Sequence, residues 1–234
     1  YERSRDWSHA ASIAQKMHAA DQGDFSTRQA HYLCEQALAL SVQGDRAGAK
    51  ALLEQAIAAA PDAARARIEL ARLQQLMGQP DAVLATLQTL GERAPAALPL
   101  AAPLLVEAGN ATGRQAEVLA RLVAHYEQSP SLDVLESIVA MEAANDATQA
   151  TARARYVQHL DKERPLVAAA KWLSAEKLEH EEFHPQIQRA LEHAVKPLTR
   201  YRCAACGFEA RQHFWQCPGC QTWDSYPARR VEEL

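Results

Sequence analysis

Aromatic residues are scarce in this chain, 6 % of its 234 residues, and glycine occurs only nine times. Hydrophobic residues nevertheless reach 48 %, with alanine and leucine dominating. That combination favours helices that meet through small side chains. Strong charge of either sign is missing too: the net charge is −4 and the pI about 6.2, so no basic field draws nucleic acid. No run approaches the ~18 apolar residues of a membrane-spanning helix, and the start has neither the apolar core nor the cleavage site of a signal peptide. No nucleotide-binding glycine loop and no nucleophile motif occurs. Cysteine is rare outside one cluster: four of the five lie between positions 203 and 220, and Cys34 stands alone. This arithmetic does not suit a disulfide framework and fits a reducing compartment, the cytoplasm by default. The length exceeds the usual single domain, so one extended array or two domains are expected. The chain opens at Tyr1 without a methionine and reads as part of a longer protein, from which an anchor is separable.

The cluster itself is "CAACGFEARQHFWQCPGC", two CxxC pairs inside eighteen residues. Two such pairs present four thiolates from two tight turns, which is what a tetrahedral zinc or iron ion requires. Cys203, Cys206, Cys217 and Cys220 are therefore the candidate ligands of one metal ion. Gly207, after Cys206, and the Pro218-Gly219 step inside the second pair are expected to let each loop fold back so that backbone N–H groups point at sulfur. Four sulfurs close the shell, so the site is expected to be structural and not catalytic.

The remainder is periodic. Prolines stand at 61, 95, 130 and 165, spaced by 34 or 35 residues, and Gly44, Gly78 and Gly113 each precede one of the first three by 17 or so. Glycine ending one helix and proline opening the next unit, at this period, form the tetratricopeptide pattern, in which each unit is a helical hairpin. Neither helix of such a pair can bury its apolar stripe alone, so successive pairs stack. Glycine supplies the left-handed residue after the first helix, proline a first helical turn, and Ala49 and Ala82 the close approach of the two helices. Two departures are visible. The unit from about 131 to 165 lacks the glycine, and Pro99 and Pro103 fall where the third unit's first helix should run, so that helix is expected to start late or kink. Beyond Pro165, "LVAAAKWLSAEKLEHEEF" and "PQIQRALEHAVK" read as two amphipathic capping helices, with Pro185 in the first turn of the second and Pro197 stopping it. "PLTRYR" then leads into the cysteines without a Gly/Ser linker, so the module is expected to be held against the helices.

The other candidates read as structural. "HEEFH" at 180–184 satisfies the zincin pattern, with His180 and His184 as ligands and Glu181 as base, but Pro185 disfavours the α conformation at His184 that the motif needs. Cys34 lies in an apolar helical face as a packed thiol. Trp7 and Trp172 are expected to pack between helices. Phe208, Phe214, Trp215 and Trp223 are expected to form the core of the small cysteine module, with a partner-binding patch as the alternative. "ARR" at 228–230 carries too few charges to argue for nucleic acid.

Tyr201, Arg202, Cys203, Cys206, Gly207, Phe208, Trp215, Gln216, Cys217, Pro218 and Cys220 spell "YRCxxCGF…WQCPxC" at the end of a tetratricopeptide array. This combination resembles the lipopolysaccharide assembly protein B family, and the cysteine module resembles a shortened rubredoxin. It departs from rubredoxin in having Gln221 where a glycine usually follows the last cysteine and only ten residues between the pairs. The fold class implied is all-α: a tetratricopeptide-repeat helical solenoid over 1–165, capping helices over 166–197 and a small rubredoxin-like four-cysteine metal-binding module over 198–234. The resemblance implies a non-enzymatic adaptor on the cytoplasmic side of the bacterial inner membrane. Such a protein works with the FtsH protease to promote degradation of the deacetylase LpxC and so restrains lipopolysaccharide synthesis, opposed by an inner-membrane sensor protein. By the resemblance, Cys203, Cys206, Cys217 and Cys220 are the metal ligands and no catalytic residue carries over. The family's N-terminal membrane helix lies outside these residues. A homodimer is left open, as is the choice between zinc and iron. Two further readings stand beside the adaptor: a rubredoxin-like electron-transfer module on an interaction scaffold, and a zinc hydrolase built on HExxH.

Overall fold

Apolar side chains recur at helical spacing through most of the chain, and eleven α-helices form among the described residues of the computed structural model, which are 1–21, 23–144, 149–163, 165–174 and 184–234. The chain divides into two compact units, Tyr1–Arg114 and Gln115–Leu234. No helix among the described residues is long and apolar enough to cross a membrane.

The first unit begins with α1 (Trp7–Ala19), capped by the Asp6 carboxylate, which accepts from His9 N–H. Two hairpins follow: α2 (Ser26–Val42) with α3 (Arg46–Ala59), and α4 (Ala64–Leu76) with α5 (Pro80–Arg93). Their turns are closed in the same way. Gly44 and Gly78 adopt φ of +90° and +69°, and the next residue's N–H reaches back, Asp45 to Leu40 carbonyl and Gln79 to Gln74 carbonyl. Gly113 (φ +71°) ends α6 (Ala102–Thr112) with the matching bond from Arg114 N–H to Gly109 carbonyl. This is the left-handed closure that a side chain would strain, and it explains why the period is marked by glycine.

The third unit starts late, as its prolines require. Pro95–Ala101 forms a 3-10 turn containing Pro99, and only from Ala102 does α-helix begin. Proline at 99 lacks the N–H an α-helix would use there and would press its ring on the preceding turn. The other repeat prolines sit differently from expectation. Pro61 and Pro130 precede their helices, whose caps are Ala63 and Ser131, so they restrict the entering chain and do not form the first turn.

Burial follows the repeat register. Ala49, Val83 and Val118 take equivalent positions early in the second helix, and Leu53, Leu87 and Leu122 lie one turn on; all are buried. Ala82 is only half-buried. The fully buried position in that hairpin is Val83, a branched side chain beside the alanine expected there. Helix α4 is buried nearly all round, and its Arg65, 4 % exposed, is held by Glu35 at 2.6 Å. Cys34 is fully buried, and Trp7 stacks on Tyr32 with ring centroids 5.9 Å apart.

The second unit contains α7 (Gln115–Gln128), α8 (Leu132–Ala143), α9 (Gln149–Glu163), α10 (Leu166–Ser174) and α11 (His184–Val195). Arg155 on α9 donates to both oxygens of Glu142 on α8, and Tyr126 on α7 meets His159 on α9 at 2.6 Å. Helix α11 has Pro185 in its first turn and ends before Pro197, as read from the sequence, but buries none of its residues fully. Trp172 on α10 is half-buried. A two-residue antiparallel pair, β1 (Tyr201–Arg202) and β2 (Glu209–Ala210), opens the cysteine module, and a short 3-10 turn over Val231–Glu233 ends the chain. The fold is thus all-α tetratricopeptide-type repeat with a small four-cysteine module.

Candidate metal centre

Each CxxC pair forms one knuckle, and the two knuckles repeat the same bonds. In the first, Gly207 N–H donates to Cys203 carbonyl and Cys203 N–H to Phe208 carbonyl, both at 2.9 Å. In the second, Gln221 N–H donates to Cys217 carbonyl and Cys217 N–H to Thr222 carbonyl, again both at 2.9 Å. The residue after each second cysteine is left-handed, Gly207 at φ +77° and Gln221 at +62°. The second turn therefore does not use Gly219 for its reversal, contrary to the expectation from Pro218-Gly219. Gly219 serves packing: a Cβ there would lie 3.3 Å from the Phe208 ring. Gln221, the departure from rubredoxin, occupies the strained position itself, and its Nε2 donates to Pro218 carbonyl at 3.1 Å.

These turns bring the four Sγ atoms within 4.8 Å of one another. Cys203 and Cys220 are 3.8 Å apart, Cys206 and Cys217 3.7 Å. A tetrahedron with ~2.3 Å metal–sulfur bonds has edges of about 3.8 Å, which these two separations match, so the set could hold one metal ion. All-sulfur tetrahedral ligation suits zinc or iron. Cys203 and Cys217 are buried, Cys206 and Cys220 exposed. Among the described residues this is the one group of three or more His, Cys, Asp or Glu placed to bind an ion. Of the HEEFH candidates, His180 and Glu181 lie outside the described residues. His184 opens α11, where its Nε2 lies 3.3 Å from Leu173 carbonyl.

Electrostatics agree with a cation-binding set. Burial would raise the Cys203 thiol, but hydrogen bonding to Ser225, to the Cys206 and Ala205 N–H groups and to Cys217 outweighs it and brings the pKa to about 6. Thr222, through hydroxyl and N–H, lowers Cys220. At Cys206 the Phe208 N–H lowers the pKa, yet burial and the three neighbouring sulfurs win and push it up to about 12. Four thiolates this close repel one another, and a divalent ion bonded to all of them is what allows all to stay deprotonated. When bound, such an ion supplies folding energy and a closed coordination shell.

The module's core is not the one its sequence suggested. Trp223 is buried as expected, but Phe208 is 44 % exposed and Phe214 and Trp215 are half-buried. The buried places go to Tyr201 and Tyr226. Tyr226 hydroxyl donates to Phe208 carbonyl at 3.1 Å and sits beside Cys217, and burial followed by that sulfur raises its pKa. His213 packs against Tyr201, Trp215 and Tyr226, and its Nε2 donates to Tyr226 carbonyl at 3.0 Å.

The module is docked on the helices of its own unit by residues that sequence reasoning missed. Tyr201 hydroxyl donates to Asp133 at 2.9 Å, and Arg230 donates to both oxygens of the same carboxylate while its guanidinium covers the Tyr201 ring at 4.3 Å. Arg230 also donates to Thr199 carbonyl at 2.7 Å. The last acidic residues then cap two helices. Glu233 accepts from Leu132 N–H at the start of α8 and from Arg230 N–H, each at 2.7 Å. Glu232 accepts from Leu166 and Val167 N–H at the start of α10. Helix N-termini carry unpaired N–H groups and a partial positive charge, which carboxylates satisfy. The absence of a Gly/Ser linker was the only sequence signal for this docking, and it did not identify the partners.

Comparison with known proteins agrees with both parts of the chain. A family profile described as a rubredoxin metal binding domain matches residues 201–226, and a tetratricopeptide repeat profile matches residues 43–108. Lipopolysaccharide assembly protein B of Escherichia coli, from strains K12, O6:H1 and O157:H7, is 23 % identical over the whole of this chain. The chain spans 61 % of the length of these relatives. It therefore joins tetratricopeptide repeats to a rubredoxin-type metal-binding domain and is similar, at a distant level, to lipopolysaccharide assembly protein B.

Proposed function

We propose that this chain is a non-enzymatic adaptor in the control of lipopolysaccharide synthesis, and that Cys203, Cys206, Cys217 and Cys220 ligate one structural metal ion within it. The observation that carries the reading is the docked module: a four-cysteine centre tied to α8 and α10 through Asp133, Arg230, Glu232 and Glu233, at the end of a tetratricopeptide chain similar along its whole length to lipopolysaccharide assembly protein B. Repeats over 1–165 would offer helix faces to partner proteins, the helices over 166–197 would close them, and the module over 198–234 would fix their geometry. A module of this size buries too little apolar surface to fold alone, whereas structural zinc contributes an apparent ~10–16 kcal/mol to small domains.

The finer assignment is that the protein acts at the cytoplasmic side of the inner membrane with the FtsH protease, promotes turnover of the LpxC deacetylase and is opposed by an inner-membrane sensor protein. It is supported by the relatives' similarity and is tested by reconstitution. With FtsH in vesicles, added protein should accelerate LpxC degradation, and Cys217→Ser/Cys220→Ser should not. LpxC turnover that ignores the protein would overturn the assignment. Turnover of LpxC by the protein without FtsH would overturn the non-enzymatic reading.

A further inference from the structure

The four sulfurs of the cysteine module fit one another as well as they fit an ion, and they are of two kinds. Cys206 and Cys220 are exposed, whereas Cys203 and Cys217 are buried. Each close pair joins one of each kind across the two knuckles, Cys220 with Cys203 at 3.8 Å and Cys206 with Cys217 at 3.7 Å. The buried members face hydroxyls: Cys203 lies 3.2 Å from Ser225 Oγ and Cys217 4.0 Å from the Tyr226 hydroxyl. A small oxidant arriving from water therefore meets Cys206 and Cys220 first, and a second sulfur stands directly behind each. Cys34 takes no part, being fully buried in the first unit.

The chemistry open to such pairs is set by their spacing. An exposed thiolate attacks one oxygen of hydrogen peroxide, its electron pair forms the S–O bond of a sulfenic acid, and hydroxide leaves. The buried thiolate then attacks that sulfur, the S–S bond forms, and a second hydroxide leaves. Each disulfide gives two electrons to one peroxide, so both pairs together consume two peroxides and four protons and yield four waters and the released ion. Each pair has to close by only about 1.7 Å to reach disulfide bonding distance.

Which sulfurs join decides what the module keeps. Links within a knuckle, Cys203 to Cys206 and Cys217 to Cys220, would leave the two turns unconnected. Links across the knuckles span 17 and 11 positions, restrict the unfolded chain more, and hold the turns together once the ion has gone.

We propose that the four-cysteine centre is also a site of oxidative modification, at which hydrogen peroxide exchanges the metal ion for the disulfides Cys203–Cys220 and Cys206–Cys217 and leaves the module docked. The inference rests on the metal reading of these cysteines and adds a second state to it.

The test treats the zinc-loaded whole chain with hydrogen peroxide, follows zinc release with a chromogenic chelator, and maps disulfides by mass spectrometry of a non-reducing tryptic digest. Arg211 lies between the two cysteine pairs, so cleavage there leaves links across the knuckles as joined peptides and links within a knuckle as separate ones. Fragmentation of the joined peptides reads the partners. One zinc released and two disulfides formed per chain are expected, both reversed by dithiothreitol with zinc rebinding, and the oxidised chain should keep slow exchange at the Leu132 amide. Separate peptides, Cys203–Cys217 with Cys206–Cys220 pairing, sulfinic acid in place of disulfides, links between chains, or Leu132 exchange as fast as in reduced, chelator-stripped protein would overturn the proposal and leave the metal assignment standing. A chain that holds no zinc before peroxide is added would overturn the metal assignment, and the exchange with it. The adaptor assignment is read separately, by LpxC turnover.

Discussion

Arg230 and Asp133, 97 positions apart, form a two-pronged ion pair in which guanidinium nitrogens approach the carboxylate oxygens at 2.5–3.2 Å, with Arg230 22 % and Asp133 11 % exposed. It joins the metal module to the first turn of α8. Removing one member leaves the other charge shielded from water and unpaired, so Arg230→Ala or Asp133→Ala should lower unfolding free energy by about 3 kcal/mol. Denaturant melts measure this. The double substitution should cost less than the two singles together, which a double-mutant cycle reads directly.

Glu233 gives stability a specific pH dependence. Burial raises its pKa above the usual carboxylate value and Asp133 adds to the rise, while the Arg230 and Leu132 N–H groups lower it without cancelling the burial. A carboxyl with a raised folded pKa binds more protons folded than unfolded, so its penalty is present above the folded pKa and is relieved as pH falls through it. The stability of the native protein relative to Glu233→Gln should therefore rise as pH falls from neutral toward 4.5. Melts of both proteins across that range check the slope, and an opposite slope rejects the assignment.

The two knuckles should respond oppositely to substitution at their left-handed residues. Gly207 has open space where a Cβ would go, so Gly207→Ala should destabilise through backbone strain alone, by about 1 kcal/mol. Gln221→Gly relieves that strain but gives up an exposed bond to Pro218, and should stabilise by about 0.5 kcal/mol. Thermal melts of the metal-loaded variants separate the two signs.

Thiol chemistry should distinguish the lone cysteine from the cluster. Cys34 is fully buried, whereas Cys206 and Cys220 are exposed. In native protein stripped of metal, an alkylating reagent should label the cluster cysteines, Cys220 ahead of Cys206 because Thr222 lowers its pKa, and leave Cys34 untouched until the chain is unfolded. Mass spectrometry of the labelled peptides gives the order.

What the sequence revealed and what it hid follow from range. The hairpins were legible because Gly44, Gly78 and Gly113 each solve a local problem, a left-handed helix end, that few other residues solve. Pro99 likewise announced the late start of α6. The cysteine pairs were legible because knuckle geometry is set within a few residues. Arg230 read as an ordinary basic tail because its partner is far away in the chain, and Glu232 and Glu233 gave no sign that they cap α8 and α10. Tyr226 was passed over for Phe208 because apolarity alone does not say which ring faces inward; a hydroxyl able to reach the Phe208 carbonyl lets tyrosine take the buried place. Gln221 shows the converse case, a left-handed turn kept without its glycine, with the side chain bonded back to Pro218.

On the proposed reading, one metal ion held by Cys203, Cys206, Cys217 and Cys220 stabilises a module that caps the helices of its unit. Metal analysis combined with amide hydrogen exchange tests it directly. One ion per chain, silent to reductant, with faster exchange at the Leu132, Leu166 and Val167 amides once a chelator removes it, is the expected result. Unchanged protection at those three amides after metal removal, or a visible band that bleaches reversibly with reductant, would contradict it and point to an electron carrier instead.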